Sequence, residues 1–356
     1  MNAQFPITIT PKYNFPLPPE NLLLPQQLIE LSMRSLKQLE KFHPPLGKGP
    51  PYQSTLPRGD RQFRTANLVK LKPNALQTRI VAIDASSIRI GETERGTLLA
   101  IRGAIVWRQA KRYRYLRLGP FPFHITERNK NEICSFLHSG NRAAVVHEDF
   151  MPSFIHLQTK LTTLLERWIQ AFVIQTTHDS LILWDGSLVV GPFDVPKHSV
   201  EELLKEARSR KNTILAFSKM TRLLLHGRRI TDFIWRQPPP CLLKIRNHSM
   251  MAGSMSLLGS VYVTKLSAGS CAFRLDVDKE LSHKRAVEAV QNLLGDDLIR
   301  QSYPETLRLA HIFSTFTANE VIGIQRCFAL ESNMKIVTRP NIRRLLFGRF
   351  GKGAEG

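Results

Sequence analysis

Two stretches of the chain share one design, and they constrain the fold more than any other feature. "IVAIDASSI" (residues 80–88) and "LILWDGSLV" (residues 181–189) each contain four apolar residues, an aspartate, an alanine or glycine, and then serine. A short apolar run without alternation is typical of a strand that is buried on both faces. The chain is therefore predicted to build a sheet covered on both sides, with Asp84 and Asp185 where the two strands end.

The pattern around these stretches indicates how the sheet is built. Three successive strands are predicted by "RIVAIDASSIRI", "GTLLAIRGAIVWRQ" and "YRYLRLGPFPFHI", and they form a meander. Helices and strands then alternate, with helices predicted over residues 154–177, 197–210, 284–298 and 304–327. A meander followed by such alternation indicates an α/β fold in which helices flank a mixed sheet.

Three regions are expected along the chain. Residues 1–60 are a proline-rich arm with one helix over residues 28–42, residues 79–328 are a single domain, and residues 338–356 are a basic tail. No apolar run reaches the roughly 18 to 20 residues that a membrane span needs, and the N-terminus lacks the features of a secretory signal. The four cysteines are far apart and include no CxxC pair, so neither a disulfide framework nor a zinc site is expected. These features predict a cytoplasmic protein without a membrane partner.

The charge balance predicts a polyanionic partner. Lys and Arg number 50 against 29 Asp and Glu, which gives a formal net charge of +21. Nucleic acid is the commonest partner of so basic a chain. The run "WRQAKRYRYLRLG" interleaves basic residues with Trp107, Tyr113 and Tyr115. It is consistent with phosphate contacts and base stacking on single-stranded DNA, or equally with a half-buried strand that has a solvated basic face.

The paired aspartates predict a metal site. A buried carboxylate is costly unless it is paired, hydrogen-bonded or bound to metal. Two of them at neighbouring strand ends would repel each other unless a cation lay between them. Oxygen ligands favour Mg²⁺ or Mn²⁺ over zinc. The alternative for "DGS" alone is an ordinary turn, since Asp-Gly is a favoured turn pair.

Five motifs resemble, in the same order, those of the NurA nucleases. They are "AIDAS", "LILWDGSL", "AFSKMTR", "RLDV" and "YPETLRLAHIFS", and they span residues 79–325 approximately. NurA nucleases are prokaryotic DNA-end-processing enzymes that work with the HerA ATPase. The resemblance implies a ribonuclease-H-like core, a homodimer and Mn²⁺-dependent 5′-to-3′ trimming of DNA ends, with Mg²⁺ as the alternative metal and two ions in the site.

The resemblance also implies which residues form the site. Asp84 and Asp185 match the metal-binding aspartates of the family, and Tyr303 and His311 match its late tyrosine and histidine. The family places a glutamate on the helix before the "DGS" strand, which Glu166 fits best, with Glu148 in "VVHEDF" as the competitor. Asp84, Asp185, Glu166 and His311 are the implied metal ligands. His311 is alternatively a general acid or a phosphate contact.

Two further residues are singled out by their position after apolar strands. Lys219 in "AFSKMTR" is placed to neutralise the scissile phosphate, unless it is an ordinary solvated lysine. Asp276 in "FRLDVD" is expected to hold a neighbouring arginine or to begin a turn.

Three functions are consistent with the sequence. The leading one is a metal-dependent DNA nuclease that acts on single- and double-stranded ends in end resection and double-strand break repair, with single-strand endonuclease activity. The others are a nucleic-acid-binding protein that has the same fold but no catalysis, and a nuclease that processes RNA. Since RNA and DNA present the same phosphodiester to the metals, charge and carboxylates do not separate them.

Overall fold

The described part of the chain contains sixteen strands, seven α-helices and one 3-10 helix. The computed structural model describes residues 8–9, 23–37, 65–138, 154–191, 196–221, 223–225, 228–245, 256–269, 271–332 and 336–337. The strands in chain order are β1 (Thr8–Ile9), β2 (Thr65–Lys70), β3 (Arg79–Thr93), β4 (Gly96–Gln109), β5 (Arg112–Thr126), β6 (Ser180–Asp185), β7 (Val189–Val190), β8 (Thr213–Ser218), β9 (Leu224–Leu225), β10 (Arg228–Arg229), β11 (Cys241–Ile245), β12 (Ser256–Leu257), β13 (Gly259–Lys265), β14 (Phe273–Asp278), β15 (Ile299–Arg300) and β16 (Tyr303–Pro304). The helices are α1 (Leu23–Lys37), α2 (Lys130–His138), α3 (Phe154–Thr176), α4 (Lys197–Ser209), α5 (His283–Asp296), α6 (Glu305–Ser314) and α7 (Ala318–Ser332), with a 3-10 helix at Ile230–Ile234.

Ten of the strands form one mixed sheet. Its order is β1-β5-β4-β3-β6-β8-β14-β13-β11-β2. β6 is parallel to both β3 and β8, and the other neighbours in the sheet are antiparallel. The predicted α/β fold class, a mixed sheet flanked by helices, is confirmed. The antiparallel meander of β3, β4 and β5 lies beside β6 and β8, which run parallel to β3.

Helices cover both faces of the sheet, because its central strands are apolar on both sides. Val81 and Ile83 of β3 belong to the core that α1, α3 and α4 cover. Ile80 and Ala82, which point the other way, belong to the core that α5 and α6 cover. The extra N-terminal helix therefore packs on the sheet, where its Leu28 is fully buried.

The strand predicted by "RIVAIDASSIRI" is present, but the expectation that Asp84 ends it is wrong. β3 continues to Thr93 because β4 pairs with it along its whole length, from Ile80↔Arg108 to Thr93↔Gly96. The neighbour on the other side is shorter, since the last β3–β6 pair is Ile83↔Trp184. Asp84 thus lies inside a strand, at the point where one of its two edges becomes open.

The single helix predicted over residues 304–327 is also wrong, because α6 and α7 are separate. Thr317 begins α7 with a capping box: its backbone N–H donates to Glu320 Oε2 at 2.9 Å, and Glu320 N–H donates to Thr317 Oγ1 at 3.3 Å. The spacing Thr-x-x-Glu is visible in the sequence, so the break could have been predicted. The break is important for the site because it ends α6 at Ser314.

Other parts of the chain extend the fold beyond the sequence-based expectation. β2 and β11 form one edge of the sheet, and β14 runs to Asp278, two residues past the predicted end at Asp276. The division into regions 1–60, 79–328 and 338–356 stays a prediction; the tail and most of the arm lie outside the described residues. Among the described helices, none has both the length and the apolar character needed to cross a bilayer.

Candidate metal centre

The two aspartates of the repeated design lie side by side. β3 and β6 are parallel, and the pair Ile83↔Trp184 puts Asp84 and Asp185 next to each other in register. Both side chains lie on the face of the sheet that α6 covers, because the residues two positions before them belong to the core on that face. The sequence-based expectation that they meet at one edge is consistent with this geometry.

The glycine after Asp185 turns the chain away from the site. Gly186 has a φ of +118°, a backbone angle that residues with a side chain rarely adopt. Its N–H donates to Phe217 O at 2.8 Å. The chain therefore bends within "DGS" while Asp185 lies at the site, so a change of chain direction and a functional carboxylate do not exclude each other.

Asp84 is buried and is held from α6. The side chain is 7% exposed. Its Oδ2 accepts a hydrogen bond from Ser314 Oγ at 2.5 Å and lies 3.0 Å from His311 Nδ1. Burial raises the pKa of the Asp84 carboxyl, the Ser314 hydrogen bond opposes that rise, and the nearby Asp185 adds to it. The site thus makes the anionic form of Asp84 costly until a positive charge arrives.

Asp185 has a different environment. It is half-buried, and its Oδ2 lies 2.5 Å from Lys219 Nζ. Lys219 directly follows β8, whose Phe217 pairs with Asp185. The lysine predicted to face the scissile phosphate is therefore at the site, in an ion pair with one of its carboxylates.

Asp84, Asp185 and His311 form a cluster that could hold a divalent cation, hereafter the metal trio. One ligand atom from each lies within 4.8 Å of the other two. Two carboxylate oxygens and one imidazole nitrogen suit Mn²⁺, and they accommodate Mg²⁺ less well because of the nitrogen. The raised pKa of Asp84 is consistent with a position that needs a cation. The donor set therefore fits a divalent cation.

Glu166 lies near the metal trio but outside it. It is on α3, and its Oε1 accepts a hydrogen bond from Gln170 Nε2 at 3.0 Å. Burial raises the pKa of Glu166 to about 7; Arg167 opposes the rise, and Asp84 and Asp185 add to it. The two aspartates are thus close enough to act on its charge. Glu148, the competing glutamate, lies outside the described residues.

Tyr303 contacts the site through its ring. It is buried at β16, with its centroid 6.1 Å from that of Phe217 and 5.2 Å from that of Phe273. Lys219 Nζ lies 5.9 Å from the centroid of Tyr303. Its hydroxyl is buried and makes no hydrogen bond with any described residue. Burial raises the pKa of this hydroxyl, and Asp185 and Asp84 raise it further, so it is a neutral donor at neutral pH.

Ser314 and Arg102 support the site and were not predicted from the sequence. Ser86 Oγ donates to Ser314 O at 2.6 Å, which ties the end of α6 to β3. Arg102 is buried, donates to Thr315 O at 3.1 Å and forms an ion pair with Glu320 at 2.9 Å. For Ser314 the signal in the sequence was its spacing from His311, because two residues three apart on a helix lie on the same face. Arg102 has no such local signal.

The aromatic residues of the basic run are half-buried and pack against other parts of the protein. Tyr115 stacks on Phe313 with 4.1 Å between centroids, and Tyr113 Oη donates to Asp297 Oδ1 at 2.8 Å. Trp107 packs against the core beneath α3. Both tyrosine rings thus have partners within the protein, which favours the alternative of a half-buried strand with a solvated basic face.

Asp276 has a structural role. It is fully buried, it accepts two hydrogen bonds from Arg274 at 2.7 and 2.6 Å, and it accepts the N–H of Leu188 at 2.9 Å. The expectation that it holds a neighbouring arginine is confirmed. Its contact with Leu188 also fixes the segment that follows Asp185.

Comparisons with known proteins give similarity only at the level of the fold. No family model matches the chain, and no curated protein matches its sequence at a significant level. Among solved structures, NurA is 10% identical with a TM-score of 0.41, over 74% of this chain and 91% of that chain. Endonuclease V of Ciona intestinalis, solved with a 24mer DNA containing an inosine followed by a ribo-adenosine, is 12% identical with a TM-score of 0.38, over 70% and 89%. The catalytic domain of human endonuclease V is 13% identical with a TM-score of 0.31, over 74% and 92%. Sequence identities and TM-scores this low do not by themselves indicate an activity.

Proposed function

We propose that the protein is a metal-dependent nuclease that hydrolyses phosphodiester bonds of DNA. The observation that carries the proposal is the metal trio, in which Asp84, Asp185 and His311 bring their ligand atoms within 4.8 Å of one another. Its ligands suit a divalent cation, and the net charge of +21 favours a polyanionic substrate. Hydrolysis of a phosphodiester is the chemistry that such a cation supports next to a bound polyanion.

Each residue of the site has a role in this proposal. Asp84 and Asp185 would hold the cation from adjacent strands, with His311 as a nitrogen ligand. A bound Mn²⁺ would supply Lewis-acid stabilisation of the phosphate and a water of lowered pKa. Lys219 leaves Asp185 and pairs with a phosphate oxygen, while the Tyr303 hydroxyl donates to the substrate. Glu166 is the third carboxylate and would complete the shell of a second ion.

The finer features of the proposal rest on the motifs shared with the NurA nucleases. They are 5′-to-3′ trimming of DNA ends with single-strand endonuclease activity, a preference for Mn²⁺, a homodimer, a HerA-type ATPase as partner, and a role in double-strand break repair in the cytoplasm. An ATP-driven translocase would supply a strand movement that this sequence lacks, since it contains no GxxxxGK[ST] phosphate loop.

Cleavage of end-labelled DNA tests the proposal. Purified protein with Mn²⁺ should release label from single- and double-stranded DNA, and EDTA should abolish the release. The Asp185→Asn variant should melt as a folded protein and release no label above background. Release that is independent of metal, or that persists in this variant, would reject the proposal.

Two further results separate the alternatives. Faster cleavage of matched RNA than of DNA would indicate an RNA-processing nuclease. Tight DNA binding without cleavage, and without a change in melting temperature on addition of Mn²⁺, would indicate a binding protein that has lost catalysis.

A further inference from the structure

A cleft opens beside the metal trio. It has a volume of about 490 Å³ and shares Lys219, Tyr303 and His311 with the candidate site. Arg300 and Arg308 also line it. Small-ligand sites typically measure roughly 300–1,000 Å³, so the cleft has room for one nucleotide and not for a duplex.

Arg300 is the cation of this cleft that remains available to a ligand. Lys219 is paired with Asp185 at 2.5 Å, and Arg308 donates to both carboxylate oxygens of Glu305, at 2.7 and 2.5 Å. Arg300 is exposed and helps to lower the pKa of Glu305 through its charge, but its guanidinium forms no hydrogen bond or ion pair with any residue that the structure describes. A guanidinium is well suited to a phosphate because it presents several donors in a planar fork.

The hairpin that carries Arg300 is held in place. Gln301 and Ser302 connect β15 to β16 with φ values of +50° and +65°, the left-handed conformation that a tight two-residue hairpin turn requires. Neither residue is glycine, so the turn costs free energy that the surroundings must offset. Ser302 is fully buried, its N–H donates to Ser267 Oγ at 2.8 Å, and its Oγ donates to Ser267 O at 3.1 Å. These contacts fix Arg300 next to Tyr303.

The cleft also offers aromatic surface and a free donor. Phe273 and Gln301 complete its lining, and the ring of Phe273 meets that of Tyr303 edge-on. Aromatic side chains bind the bases and sugars of single-stranded nucleic acid with little dependence on sequence. The Tyr303 hydroxyl is buried beside this lining and has no hydrogen-bond partner among the described residues, so it is a donor without an acceptor there.

We propose that this cleft binds one unpaired nucleotide next to the phosphodiester that is cleaved, with its phosphate on Arg300. The inference rests on the proposed function and deepens it, because it names the substrate as DNA with an unpaired end. A blunt duplex would have to release a nucleotide from its stack before the cleft could accept it. Single-stranded ends should therefore bind more tightly than blunt ends.

Mononucleotide binding tests the subsite without any catalysis. In EDTA, thymidine 5′-monophosphate or thymidine 3′-monophosphate should bind the wild-type protein more tightly than thymidine, as measured by calorimetry. Arg300→Gln should weaken binding of that monophosphate about tenfold, since a charge-assisted hydrogen bond is lost. The control is Arg285→Gln, an exposed arginine in the first turn of α5, which follows the opposite end of β14 from Phe273. It should bind like the wild type.

The outcomes distinguish the subsite from the proposed function. Equal binding of thymidine and both monophosphates, unchanged binding in Arg300→Gln, or an equal loss in Arg285→Gln would each overturn the subsite. If Arg300-dependent binding occurs but Mn²⁺ supports no DNA cleavage, the subsite stands and the proposed function fails. If DNA is cleaved but Arg300→Gln leaves the KM for single-stranded ends unchanged, the subsite fails alone.

Discussion

The β3 and β6 positions of the site have the same local sequence design but different surroundings. Asp84 is buried inside a continuing strand and is held by Ser314 and His311. Asp185 ends its strand, is half-buried and pairs with Lys219. The comparison shows that one motif can place a carboxylate that two side chains hold, hereafter the rigid position, or one that a single ion pair holds, hereafter the adjustable position, depending on what packs beside it.

Replacing either aspartate should have the largest effect. Asp84→Asn and Asp185→Asn should each reduce Mn²⁺-dependent cleavage on the order of 1000-fold, since each removes a charged ligand worth several kcal/mol to the transition state. The two variants should differ in their unfolding temperatures. At pH 8 without metal, Asp84→Asn should unfold at a higher temperature than the wild type because a buried carboxylate of raised pKa is gone. An Asp185→Asn protein that gains as much stability would show that the two positions are equivalent after all.

Removing the Ser314 hydroxyl should weaken the rigid position alone. Ser314→Ala should reduce the rate of DNA cleavage about thirtyfold, because Asp84 loses the hydrogen bond that orients it, a loss of about 2 kcal/mol. The measurement is kcat and KM on end-labelled single strands, with the effect expected in kcat. Ser187→Ala, two residues after Asp185, is the matched control, since Ser187 makes no side-chain hydrogen bond to any described residue. A twofold or smaller loss in both variants would mean that Asp84 needs no such support.

The stability of the metal-free protein should depend on pH through its buried carboxylates. The pKa of Glu166 is raised to about 7 in the folded state, so folding favours its protonated form. Its contribution is fully present below the unfolded pKa of 4.5 and is lost as pH rises through about 7. The loss should be on the order of 2 kcal/mol, because partial exposure screens part of the effect.

Thermal unfolding in EDTA from pH 4.5 to 8 measures this contribution. Glu166→Gln should lose less stability over that range than the wild type. The exposed control Glu202→Gln, on α4, should follow the wild-type curve. Parallel curves for the wild type and Glu166→Gln would contradict the raised pKa.

Replacing Lys219 should have the smallest effect and should act on the adjustable position. Lys219→Met should tighten Mn²⁺ binding roughly fivefold, because an exposed ion pair that competes for Asp185 contributes about 1 kcal/mol. The readout is the Mn²⁺ concentration that gives half of the thermal shift, with Lys284→Met on the exposed surface of α5 as the control. Cleavage should decrease in the same variant, since the phosphate loses a cation. Weaker Mn²⁺ binding in Lys219→Met would show that the lysine supports the metal site.

Local sequence predicted the elements of the site better than its connections. The apolar runs before Asp84 and Asp185 indicated strands buried on both faces, and both strands are present. The spacing of apolar residues also predicted α3 to within one residue. The place of Asp84 within β3 could not be predicted from the neighbouring residues, because it depends on how far β4 and β6 pair with β3.

The aromatic residues of the basic run show the same limit. Alternation along β5 predicts that Tyr113 and Tyr115 share a face, but it does not say what covers that face. Only the packed structure places Phe313 and Asp297 against them. In contrast, the break between α6 and α7 could have been predicted from the sequence, because the capping residues Thr317 and Glu320 are only three residues apart.

The amino-acid sequence alone determined that two acidic residues follow apolar runs in a very basic protein, because apolar character and charge belong to the residues themselves. The tertiary structure decided that these acids lie side by side, through a parallel register that no local pattern specifies. It also brought His311 and Ser314 to Asp84 from 227 and 230 residues away. Such contacts depend on how whole helices pack on a sheet, so they arise only when the chain has folded.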